Sequence, residues 1–272
     1  MDEANNQITS GPRRCAVAGA WSVELLPRKS YHAAYRPDLP VIGFAFDGQT
    51  GVHAFGSDRK TDFRTRPNSL AFVPAGCDVY SASNQGGEYL RLTFERSRDE
   101  IWSCSRRFSD EIDPLAIHAA ERLRRQLLTI EGADELQCER LVGLLKQRTL
   151  AVLGDTSTRF AARSWMTPRR LKRIEELIEA RLDTKITVQS LADELELSSG
   201  FFCRAFHEGV GKPPHDYIID RRVSRARTLL RNRALGLSAV AHASGFSSHA
   251  HMTATFRKRL GVAPGELRRL FD

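Results

Sequence analysis

The sequence predicts an α+β protein of two domains, with a β-rich N-terminal half and an all-α C-terminal half. Three observations support this fold class. The chain has 272 residues, which is more than one average domain needs. Its apolar residues form short runs punctuated by turns over the first ~110 residues and follow helical spacing afterwards. Near the C-terminus, one motif occurs twice at an offset of 50 residues.

Short strands account for the pattern of the N-terminal half. The clearest runs are 41–46, 51–55, 70–73 and 90–94. Two of them end at turn signals, Asp47-Gly48 and Pro74-Ala-Gly76. In the last run apolar and polar residues alternate, which predicts a strand with one face in water. Many short strands with such punctuation favour a sandwich or a small barrel.

Helical spacing begins after this region. Leucines and alanines recur at helical intervals over 115–127 and again over 136–145, with a break at 131–134. The pattern predicts an αα-hairpin, whose apolar stripes pack either on the sheet or on a second copy of the chain. A polar segment then predicts a linker. The predicted domains are therefore 1–153 and 168–272, joined by a linker at 154–167.

Charge is concentrated in the C-terminal domain. The whole chain has 41 Lys and Arg against 33 Asp and Glu, and 168–272 holds 19 of the basic and 12 of the acidic residues. A basic domain beside a neutral one favours a polyanion as its partner, with a solvated basic surface as the alternative. No apolar run approaches the ~20 residues of a membrane span, and the polar N-terminus does not resemble a signal peptide. A cytoplasmic protein is expected.

The cysteines predict neither a disulfide framework nor a zinc site. The five are Cys15, Cys77, Cys104, Cys138 and Cys203. They are far apart and form no C-x-x-C motif. We expect reduced and mostly buried thiols, and a redox-sensing pair that involves Cys77 or Cys104 remains the alternative.

The repeat is the most informative feature of the sequence. Residues 206–214 match residues 256–264, with the same spacing from Phe to Gly to Pro. Upstream, Leu191-Ala192 matches Val240-Ala241, with one residue of slack in the turn. Each copy therefore predicts a short helix, a tight turn, a second helix and a glycine C-cap. This is a helix-turn-helix unit, present twice.

A long helix is predicted between the two units, over 217–230. A stiff spacer has a physical purpose, because two helices that read one face of B-DNA must lie about 34 Å apart, in successive major grooves. Arginines crowd this helix, and Arg222 is expected to anchor it to an acidic partner or a backbone carbonyl.

The region 171–270 resembles the DNA-binding domain of the AraC/XylS family of transcription regulators. The matching residues are Leu191-Ala192, Leu195, Leu197-Ser198, Arg204, Phe206, Gly211, Pro214, Tyr217, Arg222, Ala226, Leu229-Leu230, Gly245-Phe246-Ser247, Phe256, Gly261, Pro264 and Arg268. The strand pattern of 21–94 resembles the cupin-like sensor barrel that often precedes this domain. The resemblance thus implies a cupin-like β-barrel with a helical hairpin, followed by a double helix-turn-helix domain.

Helical geometry separates core residues from groove residues in the first reading helix, 199–207. Phe202 and Phe206 are predicted to point inward. The predicted DNA-binding residues of this helix are Ser199, Gly200, Cys203, Arg204 and His207. Arg204 is the strongest candidate for base reading, since its guanidinium can bond guanine O6 and N7 together. A contact with phosphate or with an acidic neighbour is the alternative.

The second reading helix, 248–258, departs from the family pattern. Met252 and Phe256 are predicted to point inward. The predicted DNA-binding residues are His249, Ala250, His251, Thr253 and Arg257. Positions that are often aromatic or arginine in the family are His251 and Ala254 here. His249 and His251 point apart on a helix, so no metal site is expected between them.

The N-terminal domain is expected to sense a small molecule without catalysis. A metal-dependent cupin enzyme needs a motif such as H-x-H, but His53 is followed by Ala54 and Phe55. We therefore expect no catalytic residue, cofactor or metal ligand. Candidate ligand-binding residues are Phe44, Phe46, Phe72 and Tyr80, with core packing as the alternative for each.

Together these features predict a sequence-specific transcription regulator of the AraC/XylS type, and an activator that responds to an effector. The expected partners are double-stranded DNA, an unidentified small-molecule effector, RNA polymerase and a second copy of the chain, bound through 113–153. The alternatives are a metal-dependent cupin enzyme or a DNA-repair alkyltransferase fused to a DNA-binding domain, and a regulator without a ligand that is controlled by oxidation or by its own abundance. No cysteine has the Pro-Cys-His context that the alkyltransferase needs.

Overall fold

The computed structural model describes residues 14–94, 106–129, 133–154 and 165–269. The chain divides into two compact units, one of residues 1–127 and 131–157 and the other of residues 128–130 and 158–272. The first is rich in strands and the second is helical, so the predicted α+β fold with two domains is confirmed at this level. Residues 155–164 of the predicted linker lie outside the described residues, and the predicted domain limits stay a prediction.

In its described residues, the first unit has ten strands and two helices. They are β1 (Arg14–Ala18), β2 (Trp21–Leu26), β3 (Tyr31–Tyr35), β4 (Val41–Ala45), β5 (Gln49–Phe55), β6 (Thr61–Thr65), β7 (Ser69–Val73), β8 (Val79–Ser83), β9 (Tyr89–Phe94), β10 (Phe108–Glu111), α1 (Pro114–Leu128) and α2 (Glu135–Gly154). The strands form two antiparallel sheets, with the orders β1-β2-β9-β4-β7-β10 and β3-β8-β5-β6. Within the described residues the two sheets do not close into one barrel.

The predicted αα-hairpin packs on the larger sheet of its own chain. Helix α2 contacts β1, β4 and β7. The carboxylate of Asp113 accepts a hydrogen bond of 2.8 Å from the backbone N–H of Ala116 at the start of α1, and Arg148 of α2 donates to the same carboxylate. Helix α2 therefore packs on the sheet. Leu115 and Leu136 of the predicted apolar stripes remain more than half exposed.

The second unit has seven helices between residues 165 and 269, the part of it that the structure describes. They are α3 (Pro168–Ala180), α4 (Val188–Asp193), α5 (Ser199–Val210), α6 (Pro214–Leu230), α7 (Leu237–Ala243), α8 (His249–Leu260) and α9 (Pro264–Arg269). The predicted reading helices correspond to α5 and α8, and the predicted spacer corresponds to α6. One buried cluster joins α3, α4, α5 and the start of α6 around Ile174, Leu191, Phe202 and Phe206. Burial of such side chains stabilises the unit by about 1.5–3 kcal/mol each.

Candidate nucleic-acid interface

The two reading helices are built alike. Each has 12 residues. Each begins at a serine N-cap, Ser198 or Ser248, whose hydroxyl accepts a hydrogen bond from the backbone N–H three residues later. Each ends at a glycine in the left-handed conformation, Gly211 with φ 75° and Gly261 with φ 78°. The repeat in the sequence is therefore a repeat in structure, and each helix extends beyond the predicted end.

The predicted residues of α5 lie on its outer face. Gly200, Arg204 and His207 are exposed, and Cys203 is half-buried. The inward residues are Phe202 and Phe206, both fully buried, as helical geometry predicts. The hydroxyl of Ser199 is hydrogen-bonded to the side-chain oxygen of Gln189 on α4. This outer face offers one fork of five N–H donors at Arg204, with little bulk around it.

The predicted residues of α8 form two small hydrogen-bonded groups. Nε2 of His249 and the hydroxyl of Thr253 share a hydrogen bond of 3.3 Å. Nδ1 of His251 shares one of 3.0 Å with the hydroxyl of Ser247. Ala250 and Arg257 are exposed. Both histidine rings are thus held by neighbours, which leaves one ring nitrogen of each for another partner.

The one residue of slack between the copies lies in the second turn. In each unit a residue of the left-handed conformation ends the short helix, Glu196 with φ 57° or Gly245 with φ 81°. The next backbone N–H then bonds back over five residues, Leu197 to Ala192 and Phe246 to Ala241. Two residues separate Gly245 from the N-cap of α8, but only one separates Glu196 from the N-cap of α5. The additional residue is Ser247, whose hydroxyl contacts His251.

Helix α6 is anchored to α3 and to the segment that follows α3. Arg222 donates to the carbonyl oxygens of Leu182 at 3.2 Å and Thr184 at 2.8 Å, as expected from the sequence. Burial lowers the pKa of this arginine from its ordinary value. The Tyr217 hydroxyl donates to a carboxylate oxygen of Glu175 at 3.2 Å. Its pKa is well above the ordinary value, first because of burial and then because of that carboxylate.

A further ion pair joins the second reading helix to the same spacer. Arg259 of α8 bonds the carboxylate of Asp216, and its Nε lies 3.6 Å from a carboxylate oxygen of Asp220. Arg259 therefore faces the spacer, while Arg257 lies on the exposed side of α8. Its 17 residues, at 1.5 Å per residue, make α6 a connection of about 25 Å between the two helix-turn-helix units, held by salt bridges and hydrogen bonds along its N-terminal half.

The first unit contains a cavity of about 230 Å³ between its sheets. Of the four predicted ligand-binding residues, Phe72 borders it. Phe44 does not, because side chains alternate along β4 and its neighbour Ala45 faces the cavity. Phe46 instead packs under the guanidinium of Arg124, 4.4 Å from the ring centre.

Tyr80 does not border the cavity either. On β8 it lies between Val79 and Ser81, which both do, so its ring is on the opposite face of the sheet. There it contacts Lys60, whose ammonium is 3.9 Å from the ring centre, and His32. His32 therefore lies outside the cavity, whereas His53 is part of its wall.

Besides the predicted Phe72, three tyrosines line the cavity, Tyr31, Tyr35 and Tyr89. Burial raises the pKa of Tyr31, Tyr35 and Tyr89 above the ordinary value, so their hydroxyls remain protonated donors. Tyr31 is hydrogen-bonded to Ser81 at 3.1 Å. The side-chain oxygen of Gln49 is buried and has no hydrogen-bond partner in the part of the chain that the structure describes. The cavity therefore presents donors and at least one unused acceptor.

Basic side chains border the same cavity. Those that line it are Lys29, Arg64, Arg91 and Arg107. Arg91 donates to the carboxylate of Glu24 at 2.7 Å, and Asp110 pairs with Arg66. The pKa of His53 is lowered, first by burial and then by Arg107, so that this ring is neutral at pH 7. The alternation of β9, which predicted a face in water, instead places Tyr89 and Arg91 in the cavity.

Two kinds of site are absent from the described residues. No group of three or more His, Cys, Asp or Glu side chains among them could hold a metal ion, and none of their helices has the length and hydropathy of a membrane span. Of the four described cysteines only Cys138 is buried, so the expectation of mostly buried thiols is wrong for this set. Cys104 lies outside the described residues.

One family of known proteins matches the second unit. Residues 191–270 match the helix-turn-helix domain family. This span contains both reading helices and the spacer helix α6. Relatives come from several bacteria. The chain is 27% identical over 170 residues to a probable transcriptional regulator, LumQ of Photobacterium leiognathi, covering 62% of this chain and 63% of that protein. Two further regulators are matched over only 27% of their own length.

A longer match extends into the first unit. The transcriptional regulator ExsA of Pseudomonas aeruginosa is 21% identical over 252 residues, covering 85% of this chain and 90% of that protein. Among solved structures, an AraC-type transcriptional regulator from Chromobacterium violaceum is 28% identical, covers 37% of this chain and 90% of that chain, and has a TM-score of 0.35. These relatives are described as regulators, which leaves the enzyme alternatives without support.

Proposed function

We propose that this chain, whose residues 191–270 match the helix-turn-helix domain family, is a sequence-specific DNA-binding transcription regulator of the AraC/XylS type. The observation that carries the proposal is the repetition of one helix-turn-helix unit on a stiff spacer, with α5 and α8 both exposed on their outer faces. Such a pair suits two successive major grooves on one side of a duplex. The basic charge of this unit supplies the attraction to phosphate.

In the first groove, Arg204 reads a guanine through a bidentate contact. Gly200 and Cys203 let the helix backbone approach the base edges, and Ser199 and His207 flank the contact at the two ends of the exposed face. A good bidentate pair discriminates against the wrong base by about 1–3 kcal/mol. The first block of the recognised sequence therefore depends mainly on one side chain.

In the second groove, the readers are the two histidines with Thr253, assisted by Ala250 against a thymine methyl group. The hydrogen bonds of His249 to Thr253 and of His251 to Ser247 fix the ring orientations before DNA is bound. Arg257 contacts phosphate. Because no arginine reads a base on this helix, we expect the second block to be less strongly specified than the first.

The experiment is selection of bound sequences from random duplex DNA at two salt concentrations, with the full chain. A motif of two blocks about 10 base pairs apart is expected. Arg204→Ala should relax one block, and Arg204→Lys, which keeps the charge but loses the fork, should relax it as well. The control is Arg181→Ala, which removes an equally exposed charge at the end of α3. Binding that depends on salt but selects no motif would contradict the proposal.

For the first unit we propose a cupin-like sensor whose cavity binds the small-molecule effector. The free oxygen of Gln49 calls for a ligand with an N–H or O–H group, and the hydroxyls of Tyr35 and Tyr89 call for an acceptor on the same ligand. Basic side chains at the wall favour an anion over a cation. Compounds made or consumed by the genes beside the selected sequence are the candidates, and binding should raise the unfolding temperature of the full chain.

Dimerisation and the sign of regulation complete the proposal. The hairpin within 113–153 joins two copies, since Leu115 and Leu136 stay exposed on it. Sedimentation should show a dimer for the wild type and a monomer for Leu136→Asp, whereas a wild-type monomer at micromolar concentration contradicts this interface. We propose activation, by contact with RNA polymerase in the cytoplasm, and a promoter-reporter assay tests it.

A further inference from the structure

We propose that Trp165 is a positioning residue for the first reading helix and presents Arg204 to the groove through Phe201. This inference rests on the proposed function and assigns it a residue outside both helix-turn-helix units. Phe201 lies on α5, is 38% exposed, and is not one of the inward residues of that helix. Its ring contacts Trp165 and lies near the guanidinium of Arg204.

A short segment before α3, residues 165–167, lies along α5, and we call it the strap. Met166 is buried, and a Cβ atom on Gly209 would meet its Cβ and Cγ at 3.0 Å. Phe201, Ala205 and Gly209 are four residues apart, so they form one stripe of α5. Because the stripe narrows from phenylalanine to alanine to glycine, the strap approaches the helix closely.

Four side chains continue the strap into the reading face. The guanidinium of Arg170 lies 3.8 Å from the ring centre of Trp165 and also donates to the carbonyl oxygen of that residue at 3.0 Å. The Trp165 ring meets the Phe201 ring edge-on, with 5.4 Å between centres and 87° between planes. The guanidinium of Arg204 lies 6.0 Å from the centre of the Phe201 ring. Each ring is therefore fixed from one side and supports a neighbour on the other.

In the second helix-turn-helix unit, the supporting ring comes from a residue of the same unit. The position equivalent to Phe201, 50 residues later, is His251. Its ring also meets another ring edge-on, at 5.5 Å and 88°. That ring belongs to Phe246, in the turn of the same unit. Among the described residues, the first helix-turn-helix unit takes its supporting ring from outside the unit, from the strap, which is the last part of the predicted linker.

The Phe201 ring affects base recognition because it limits the conformations of the Arg204 side chain. Arginine has many rotamers, and those lost on binding reduce the discrimination that its contact provides. A fixed Phe201 restricts the space open to the Arg204 side chain and holds the fork on the outer face of α5. Loss of the Trp165 ring should therefore weaken base preference in the first block and leave the second block unchanged.

The experiment compares selected sequences for the full-length wild type, Trp165→Leu and Phe201→Leu. Leucine keeps much of the apolar volume but has no aromatic edge. Each variant should lose about fivefold of the preference at the position that Arg204 reads, which is part of what a bidentate contact provides. In an Arg204→Ala background, Trp165→Leu should cause no further loss of base preference at this position, because Trp165 acts through Arg204. Trp165→Phe keeps an aromatic edge, and this variant should therefore retain most of the wild-type preference.

The matched control is His251→Leu, which removes the equivalent ring in the second unit and should relax only the second block. An equal loss of binding to both blocks in Trp165→Leu, or an unchanged first block in both leucine variants, would overturn the inference. Phe201→Leu is exposed and tests the same contact if Trp165→Leu does not fold. Absence of any motif in the wild type would refute the proposed function, whereas a wild-type motif that is insensitive to these variants refutes the positioning role alone.

Discussion

A methyl group added at Gly245 should strongly destabilise the second helix-turn-helix unit. It lies in the turn before α8 with φ 81°, a conformation that residues other than glycine rarely adopt. A Cβ atom there would lie 1.7 Å from the carbonyl oxygen of Leu182 and 2.8 Å from Nε of Arg222. Gly261 offers a matched control, since its φ is 78° but a Cβ atom would meet no atom within 4 Å.

The two substitutions separate backbone strain from steric overlap. Gly261→Ala carries only the conformational cost, about 1–2 kcal/mol. Gly245→Ala carries the same cost, and in addition the turn must move away from Leu182. Such a movement breaks the hydrogen bond from Arg222 to Leu182, and a bond from a charged donor contributes about 1.5–3 kcal/mol. We therefore expect Gly245→Ala to lower the free energy of unfolding by about 2.5–5 kcal/mol.

Urea unfolding of the full chain, followed by far-ultraviolet circular dichroism, measures both effects. The Gly245→Ala midpoint should fall clearly below that of Gly261→Ala, and its protein should lose the second block in sequence selection. Equal midpoints for the two variants would refute the reasoning, because the packing of the turn on Leu182 would then contribute nothing. A lower midpoint with an intact second block would show that the turn does not position α8.

Three further predictions follow from the same structure. The raised pKa of Tyr217 means that the folded state holds this proton more tightly, so the free energy of unfolding should fall above about pH 10, and Tyr217→Phe should reduce that slope; an unchanged slope contradicts it. Arg257→Ala should reduce, by about one, the slope of the logarithm of the DNA-binding constant against the logarithm of the salt concentration, without changing the selected motif. Gly43→Ala, whose Cβ would lie 1.6 Å from the Tyr89 hydroxyl, should displace that ring and abolish the effector-induced rise in unfolding temperature, whereas Gly143→Ala, in open space, should not.

The reading helices could be predicted from the sequence because their signals are local. Serine N-caps, glycine C-caps and inward phenylalanines all lie within 14 residues of one another in each copy, as they do from Ser198 to Gly211. The additional residue in the second turn also appeared in the alignment of the two copies. What the alignment lacked was its partner, since only the structure shows that Ser247 bonds His251.

The cavity could not be predicted in the same way. Alternation along a strand determines which residues share a face, but it does not say which face looks inward. Every residue of β4 is buried, because the hairpin lies near one face and the second sheet covers the other. Burial therefore does not separate Phe44 from Ala45, and polar residues such as Arg91 gave the appearance of a wet face while lining the cavity.

The sequence by itself determined the two-part fold class, the repeated unit, the caps and the spacer, because each depends on contacts between residues close in the chain. The tertiary structure alone decided which side chains line the cavity, how α6 is anchored, and which ring supports Phe201. These contacts join residues that are far apart in sequence, as Arg222 and Leu182 are at a separation of 40 residues. Periodicity along the chain does not reveal such a pair, because the helical pattern around one residue is the same whichever distant residue it contacts.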